Sequence, residues 1–471
     1  VEPGANIMTD LTRRSASELA AAIRNRQVSA TEVVQAHLEV IEQRNPQINA
    51  IVTLDAEGAL RQAGEVDRLL ADSNAGDLLP PLLGVPITLK DCHATAGMRT
   101  TAGYAPLADY IPEEDGTTAA RMRAAGAIIM GKTNVSELLT FAQTFNDLFG
   151  RTNNPWNLER TPGGSSGGAG AAVAAMMTPL DIGSDIGGSI RMPANLCGIY
   201  GLKPTERRVS NHGHIPDLPG LARTTRVMNC IGPMARSVDD LELAFRMLAG
   251  PDGKDTEVPP VPVGEVPRVS LDSIRVAWAD SFPGAPPAQA IRNAIRSFAG
   301  RLEGQVAALE QTLPDISFDD QLEVRRRLRT MVGMAIREES ASPPTALEYL
   351  EVLDARDHYI RVWDAFLREW DVLICPVMML TAFPHCENGD PLMVDGEATD
   401  HGLATCAYVR PFNLTGHPVV VIPIGLDDDG LPIGLQIVGS RWGDERLLGV
   451  ARILAEVAGP LMSPEMVFLN S

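Results

Sequence analysis

Two glycine-rich tracts carry hydroxyls at close spacing: Thr161-Pro-Gly-Gly-Ser-Ser-Gly-Gly-Ala-Gly170 and Asp181-Ile-Gly-Ser-Asp-Ile-Gly-Gly-Ser-Ile-Arg191. Glycine permits tight turns and close backbone approach, so amide N–H groups can converge on one point. Serine beside such donors supplies a nucleophile or a proton relay, and the amides supply a hole for a developing oxyanion. The combination suggests a hydrolase whose nucleophile and anion hole share one local scaffold. Taken singly, each tract also fits a loop or a phosphate nest. The P-loop ending in GK[ST] is absent. Ser189 lies in Gly-Gly-Ser-Ile-Arg, not in the Gly-x-Ser-x-Gly of a nucleophile elbow.

A third candidate is Lys90. Leu83-Gly-Val-Pro-Ile-Thr-Leu-Lys90 reads as a short strand that delivers the amine at its end. A serine hydroxyl is a poor nucleophile at neutral pH, and a neutral lysine can take its proton. Free lysine titrates near about 10.4, so burial or neighbouring donors must lower that value. Other polar residues carry less. His212-Gly-His214 brings no carboxylate or cysteine set with it and reads as a surface loop or channel rim, so no metal and no cofactor are expected. Cys92 and Cys197 read as buried packing, and Asp91 as a turn cap or a neighbour that tunes Lys90.

The elements that must hold these residues alternate between helix and short apolar strand. Ser15-Ala-Ser-Glu18 and Ser29-Ala-Thr-Glu32 are capping boxes for helices over 16–25 and 30–44. A helix follows over 55–70, another over 116–125 broken by Gly126, then a buried strand at 127–130, with Asn134 as a further cap. The small residues of 169–177 predict a helix that begins just after the first tract, and 180–183 a strand. Helix and strand alternate again around 239–248, 274–277 and 288–309. Residues 320–370 carry long charged helices; strands are expected at 372–376, 419–423 and 431–438, and a last helix at 444–458. This is an α/β pattern with a mixed central sheet. One domain over 1–471 is expected, with core motifs in 84–205 and a helical lobe near 285–370.

Composition sets limits on partners. The chain has 471 residues, 45% of them hydrophobic, and a formal net charge of −20. Acidic charge mildly disfavours polyanionic partners, and the nearest basic run, Arg325-Arg-Arg-Leu-Arg329, reads as a solvated helix face. Six scattered cysteines with no CxxC spacing predict free thiols in a reducing compartment. No basic leader followed by an apolar run opens the chain, and no apolar stretch of about 18 residues is present, so no membrane segment is expected.

The three tracts occur together, in order, with Pro193-Ala-Asn-Leu-Cys-Gly-Ile-Tyr-Gly-Leu-Lys-Pro-Thr205, Gly232-Pro-Met-Ala-Arg236 and Gly430-Leu-Pro-Ile-Gly-Leu-Gln-Ile-Val-Gly439. This set resembles the amidase-signature family over almost the whole chain, most specifically from Lys90 to Thr205. The resemblance implies a central mixed sheet covered by helices on both sides. It also implies a Ser–cis-Ser–Lys triad, with Ser189 as nucleophile, Ser165 as bridge, Lys90 as base and the cis peptide at Gly164–Ser165. The implied oxyanion hole is the backbone of Ile186, Gly187, Gly188 and Ser189, with Asp185 and Arg191 ordering the loop. Thr140, Phe141, Phe145, Gly163 and Gly164 are candidates for the substrate pocket.

The expected activity is that of a cytoplasmic amidase cleaving a small carboxylic amide, an aryl amide or a carbamate, as a monomer or homodimer without nucleic acid. Phe412-Asn-Leu-Thr-Gly-His-Pro418 differs from the Asn-Leu-Ala-Gly tract usual in the amidase component of tRNA-dependent amidotransferases. That difference favours a free-standing enzyme. The alternatives are a catalytically silent amide-binding protein and such an amidotransferase subunit.

Overall fold

Both capping boxes form. Ser15 and Ser29 each accept the backbone N–H of the glutamate three residues on, opening the helices Ala16–Arg24 and Ala30–Ile48. The computed structural model describes residues 11–74, 77–218, 223–334, 344–461 and 464. Most expected elements lie within a residue or two of their sequence positions. Asn134 is different: it starts no helix, and its side chain ties Gly150 and Thr152 to the turn after a strand.

Eleven strands make one sheet. In chain order they are β1 (Ile51–Leu54), β2 (Pro86–Lys90), β3 (Ile128–Thr133), β4 (Leu180–Asp185), β5 (Tyr200–Lys203) and β6 (Cys230–Ala235), then β7 (Arg275–Trp278), β8 (Ala308–Gln311), β9 (Val372–Pro376), β10 (Val419–Leu426) and β11 (Pro432–Gly439). They lie side by side as β1-β3-β2-β4-β6-β5-β10-β11-β9-β7-β8. β3, β2 and β4 run parallel, as do β9, β7 and β8, while the strands between pair antiparallel, so the sheet is mixed.

The period of two divides side chains between two cores. In β9, Val372 and Ile374 join one buried cluster while Leu373 and Cys375 join another. β10 divides the same way, Val420 and Ile422 against Val419 and Val421. The first cluster takes the apolar stripes of Ala16–Arg24, Ala30–Ile48, Val238–Leu248 and Asp444–Ala458. The second takes Arg191–Cys197 and one face of Gly167–Ala174 (Ala169, Val173 and Ala174), while Ala171 and Ala172 of that helix join the first; these are the two short helices that follow the glycine-serine tracts.

Gly167–Ala174 starts two residues earlier than its small-residue run suggests, because glycine is required inside its first turn. A Cβ on Gly168 would come within 2.4 Å of the Asn134 amide nitrogen. The expected helical lobe is divided. Gln289–Leu302 packs in the first core and β8 pairs with β7, whereas Phe318–Met334 and Ala346–Glu369 pack on each other and on the helix Arg410–Thr415.

Candidate active site

β2 and β4 are parallel neighbours, and the chemistry gathers where both end. Lys90, the last residue of β2, is fully buried. Its Nζ lies 2.8 Å from Ser165 Oγ, 3.1 Å from Ser184 Oγ and 3.3 Å from the Ser184 carbonyl oxygen. Ser165 follows a cis peptide bond at Gly164–Ser165. Ser189 sits in the turn between β4 and Arg191–Cys197, and its carbonyl accepts the Ser166 N–H at 3.3 Å, which ties the two tracts together. Ser165, Ser184 and Ser189 line one small cavity together with His214.

Burial brings the Lys90 amine down to about 8, against the upward pull of Cys92, Asp185 and Asp181. A base acts only in its neutral form. Turnover that depends on Lys90 is therefore expected to rise with pH through about 8 and to level off above it. A kcat/KM profile over the neutral to alkaline range checks this; a rate that is flat across it, or that falls as pH rises through this region, would contradict it.

The turn carrying Ser189 is built on one carboxylate. Asp185 accepts the Gly188 N–H at 2.8 Å and the Ile190 N–H at 3.2 Å, and holds Arg191 through two 3.0 Å bonds. Asn413 adds a 2.8 Å bond to the same carboxylate, and Arg191 also donates to the Val409 carbonyl and to Asn413 Oδ1. Burial would raise the Asp185 carboxyl, but the Arg191 guanidinium and these hydrogen bonds outweigh it and hold the group well below the usual carboxylate range. The Gly188 N–H is committed to Asp185, whereas the amides of Ile186, Gly187 and Ser189, the other members of the expected hole, have no acceptor among the described residues. Gly188 has φ +112°, and a Cβ there would come within 2.6 Å of Val409.

Ser189 also opens onto a larger cavity of about 470 Å³. Thr140 and Phe141 line it; Phe145 does not. Phe145 lies 49% exposed in a two-residue strand beyond the pocket wall, so its place among the pocket candidates is corrected. Gly163 and Gly164 pack behind that wall: a Cβ on Gly164 would meet the Phe141 carbonyl oxygen and Gln143 at 2.8 Å.

The far side of the cavity carries Arg325, Arg329 and Arg410. The basic run is thus only in part a solvated face. Positions 325 and 329 are one turn apart and face the site, whereas Arg326 points outward and pairs with Glu323. Arg325 donates to the Ile186 carbonyl at 3.0 Å, and burial, with Arg410 and Arg329 beside it, lowers its guanidinium. His214 likewise belongs to the site and not to a surface loop, being buried against Cys92. Sequence reasoning missed Ser184, Arg325, Arg329, Arg410 and His214 as site residues; the four-residue spacing of the two arginines was the available signal. Among the described residues no group of three or more His, Cys, Asp or Glu side chains is placed to hold a metal ion.

A mixed sheet covered by helices, with lysine and serines at its parallel strand ends, defines an α/β enzyme of the amidase-signature fold. The chain belongs to the amidase family, whose model matches residues 32–321 and 319–448. Among its relatives is a Glutamyl-tRNA(Gln) amidotransferase subunit of Acidothermus cellulolyticus, 36% identical over 95% of each chain. The protein of the same name from Salinispora tropica is 34% identical over 98% of this chain and 100% of its own length. A solved bacterial aryl acylamidase of the amidase-signature family superposes with a TM-score of 0.79 at 26% identity, covering 97% of this chain and 99% of that one.

These relatives overturn the reading as a free-standing amidase, and with it the expectation of a small molecule as sole partner and no nucleic acid. The Phe412–Pro418 difference misled because that tract is structural here. Asn413 spans Asp185 and Arg191, and Thr415 bonds back to Pro411, so the tract reports local packing and not the reaction partner. Among the described residues no helix is long and apolar enough to cross a membrane.

Proposed function

We propose that the chain is the amide-cleaving subunit of a tRNA-dependent amidotransferase, releasing ammonia from an amide donor for use on glutamyl-tRNA held by partner subunits. The observation that carries this reading is full-length similarity, at 34–36% identity, to proteins of that name. The cavity supports it. Three guanidiniums and Asp400 line the space next to Ser189, a charge pattern complementary to the carboxylate and ammonium of an amino-acid amide such as glutamine. A cytoplasmic location and one catalytic unit over 1–471 are part of the same reading. Lys90, buried and brought toward neutrality, has no purpose in a catalytically silent scaffold.

In the mechanism, Ser165 takes the proton of Ser189 as it passes its own to neutral Lys90. Ser189 Oγ bonds to the amide carbon, and the carbonyl oxygen takes up the electron pair facing the amides of Ile186, Gly187 and Ser189. As the C–N bond breaks, the Lys90 proton returns through Ser165 to the nitrogen and ammonia departs. The acyl ester on Ser189 is then opened by water through the same relay, which frees the acid and restores the serine.

The test is reconstitution. The chain, co-expressed with candidate partner subunits and supplied with ATP, glutamine and glutamyl-tRNA, is assayed for ammonia and for glutaminyl-tRNA. Glutamine-dependent amidation is expected. Rapid hydrolysis of unrelated amides, with no amidation by any reconstituted assembly, would refute the proposal.

A further inference from the structure

The oxygen neighbours of Lys90 Nζ fix where its lone pair lies. A neutral amine has two N–H donors and one lone pair, and catalysis as proposed above needs that lone pair on Ser165. The Ser184 carbonyl, at 3.3 Å, can only accept, so it takes one hydrogen. The second can go to Ser184 Oγ at 3.1 Å or to Ser165 Oγ at 2.8 Å.

The far side of Ser184 decides between them. Ser184 Oγ lies 3.9 Å from Cys92 Sγ, and Cys92 Sγ lies 3.5 Å from His214 Nε2. All three side chains are buried. Burial lowers the His214 imidazole to about 3, with Lys90 pushing the same way, so the ring is neutral and one nitrogen accepts. Burial raises the Cys92 thiol to about 11, so it keeps its hydrogen. With the His214 proton on Nδ1, the thiol donates to Nε2, its sulfur accepts the Ser184 hydroxyl hydrogen, and Ser184 Oγ is left able only to accept from Lys90.

We propose that Ser184, Cys92 and His214 form an orienting chain that draws both N–H groups of neutral Lys90 onto Ser184 and thereby turns its lone pair to the Ser165 hydroxyl. Ser184 is the positioning residue of this chain, and Cys92 and His214 set the direction of its hydrogen. The inference rests on the reading of Lys90 as base and Ser189 as nucleophile. The charged groups that face Lys90 are Asp181 and Asp185, both from β4, and neither belongs to the chain.

The test uses a serine-directed fluorophosphonate, which needs no natural donor. Its labelling rate at Ser189 is followed by intact-protein mass spectrometry across the neutral to alkaline range. The parent is expected to label with a rate that rises to a plateau. In Ser184→Ala the plateau falls by about tenfold or more. Ser184→Thr, which keeps the hydroxyl, stays close to the parent, and Cys92→Ala falls between the two. A merely structural role would leave the plateau of each folded variant unchanged.

A Ser184→Ala plateau equal to the parent's, or a Ser184→Thr plateau as low as that of Ser184→Ala, overturns the proposal. If Ser184→Ala does not fold, Cys92→Ala decides, and an unchanged plateau there overturns it. A parent that never labels at Ser189 defeats the catalytic reading itself, and the orienting chain with it. Labelling of the parent together with unaffected variants defeats the orienting chain alone.

Discussion

Replacing Ser189 with alanine is expected to abolish the acyl-enzyme and to lower amide cleavage by on the order of a millionfold, as loss of a nucleophile does in other serine hydrolases. The fold should survive. Ser189 contributes its side chain to the two cavities, while the bonds that hold its turn come from the backbone and from Asp185. Binding of the donor should also survive, because Arg325, Arg329 and Arg410 are untouched, so the loss falls on kcat and not on KM. Intact-protein mass spectrometry during turnover, with a steady-state ammonia assay, checks both parts. Turnover by the alanine variant within tenfold of the parent would rule out Ser189 as the attacking residue.

The second large effect is on stability. Asp185→Ala leaves the Arg191 guanidinium fully buried without its carboxylate, and it removes the acceptor of the Gly188 and Ile190 amides at the same stroke. Breaking a buried pair by deleting one partner costs about 3–5 kcal/mol. The side chains of Arg191 and Asp185 are both 0% exposed, so solvent offers no compensation. Asp185→Ala is therefore expected to unfold at markedly lower denaturant concentration and to lose activity even where it remains folded, because the turn loses its anchor. Urea unfolding of parent and variant measures the difference. A loss below roughly 1 kcal/mol, the typical effect of an ordinary point mutation, would mean that the turn is held by something other than this carboxylate.

Much of the site was legible because its signals are local. Glycine beside serine marks close backbone approach, and a lysine closing a short apolar strand marks a side chain delivered to a strand end. The structure sets Lys90 Nζ within hydrogen-bond reach of Ser165. What local pattern does not specify is which face of an element meets a cavity. Arg325 and Arg329 share a face by helical spacing, yet whether that face meets solvent or a pocket depends on strands more than a hundred residues earlier. Phe145 fails for the complementary reason: it follows the wall-forming residues in sequence, but the short strand Phe145–Asn146 turns it outward. His214 carries no local sign of its place, since no carboxylate or cysteine set accompanies it in sequence, and the segment bearing it is bridged to that of His93 far earlier in the chain.

The partners were less legible still. A docking surface for a partner protein or a tRNA leaves no mark on triad spacing, and the one tract used to separate subunit from free enzyme answers to Asp185 and Arg191 instead.

The anchor of the Ser189 turn has a bearing on biosynthesis. Asp185 and Arg191 lie in the first half of the chain, but Val409, Asn413 and Gln436, which complete their network, are more than two hundred residues later. A ribosome therefore releases the serine long before it releases the groups that hold it in place. A chain truncated before residue 409 would therefore carry Lys90, Ser165 and Ser189 of the proposed site and still lack the groups that hold the Ser189 turn.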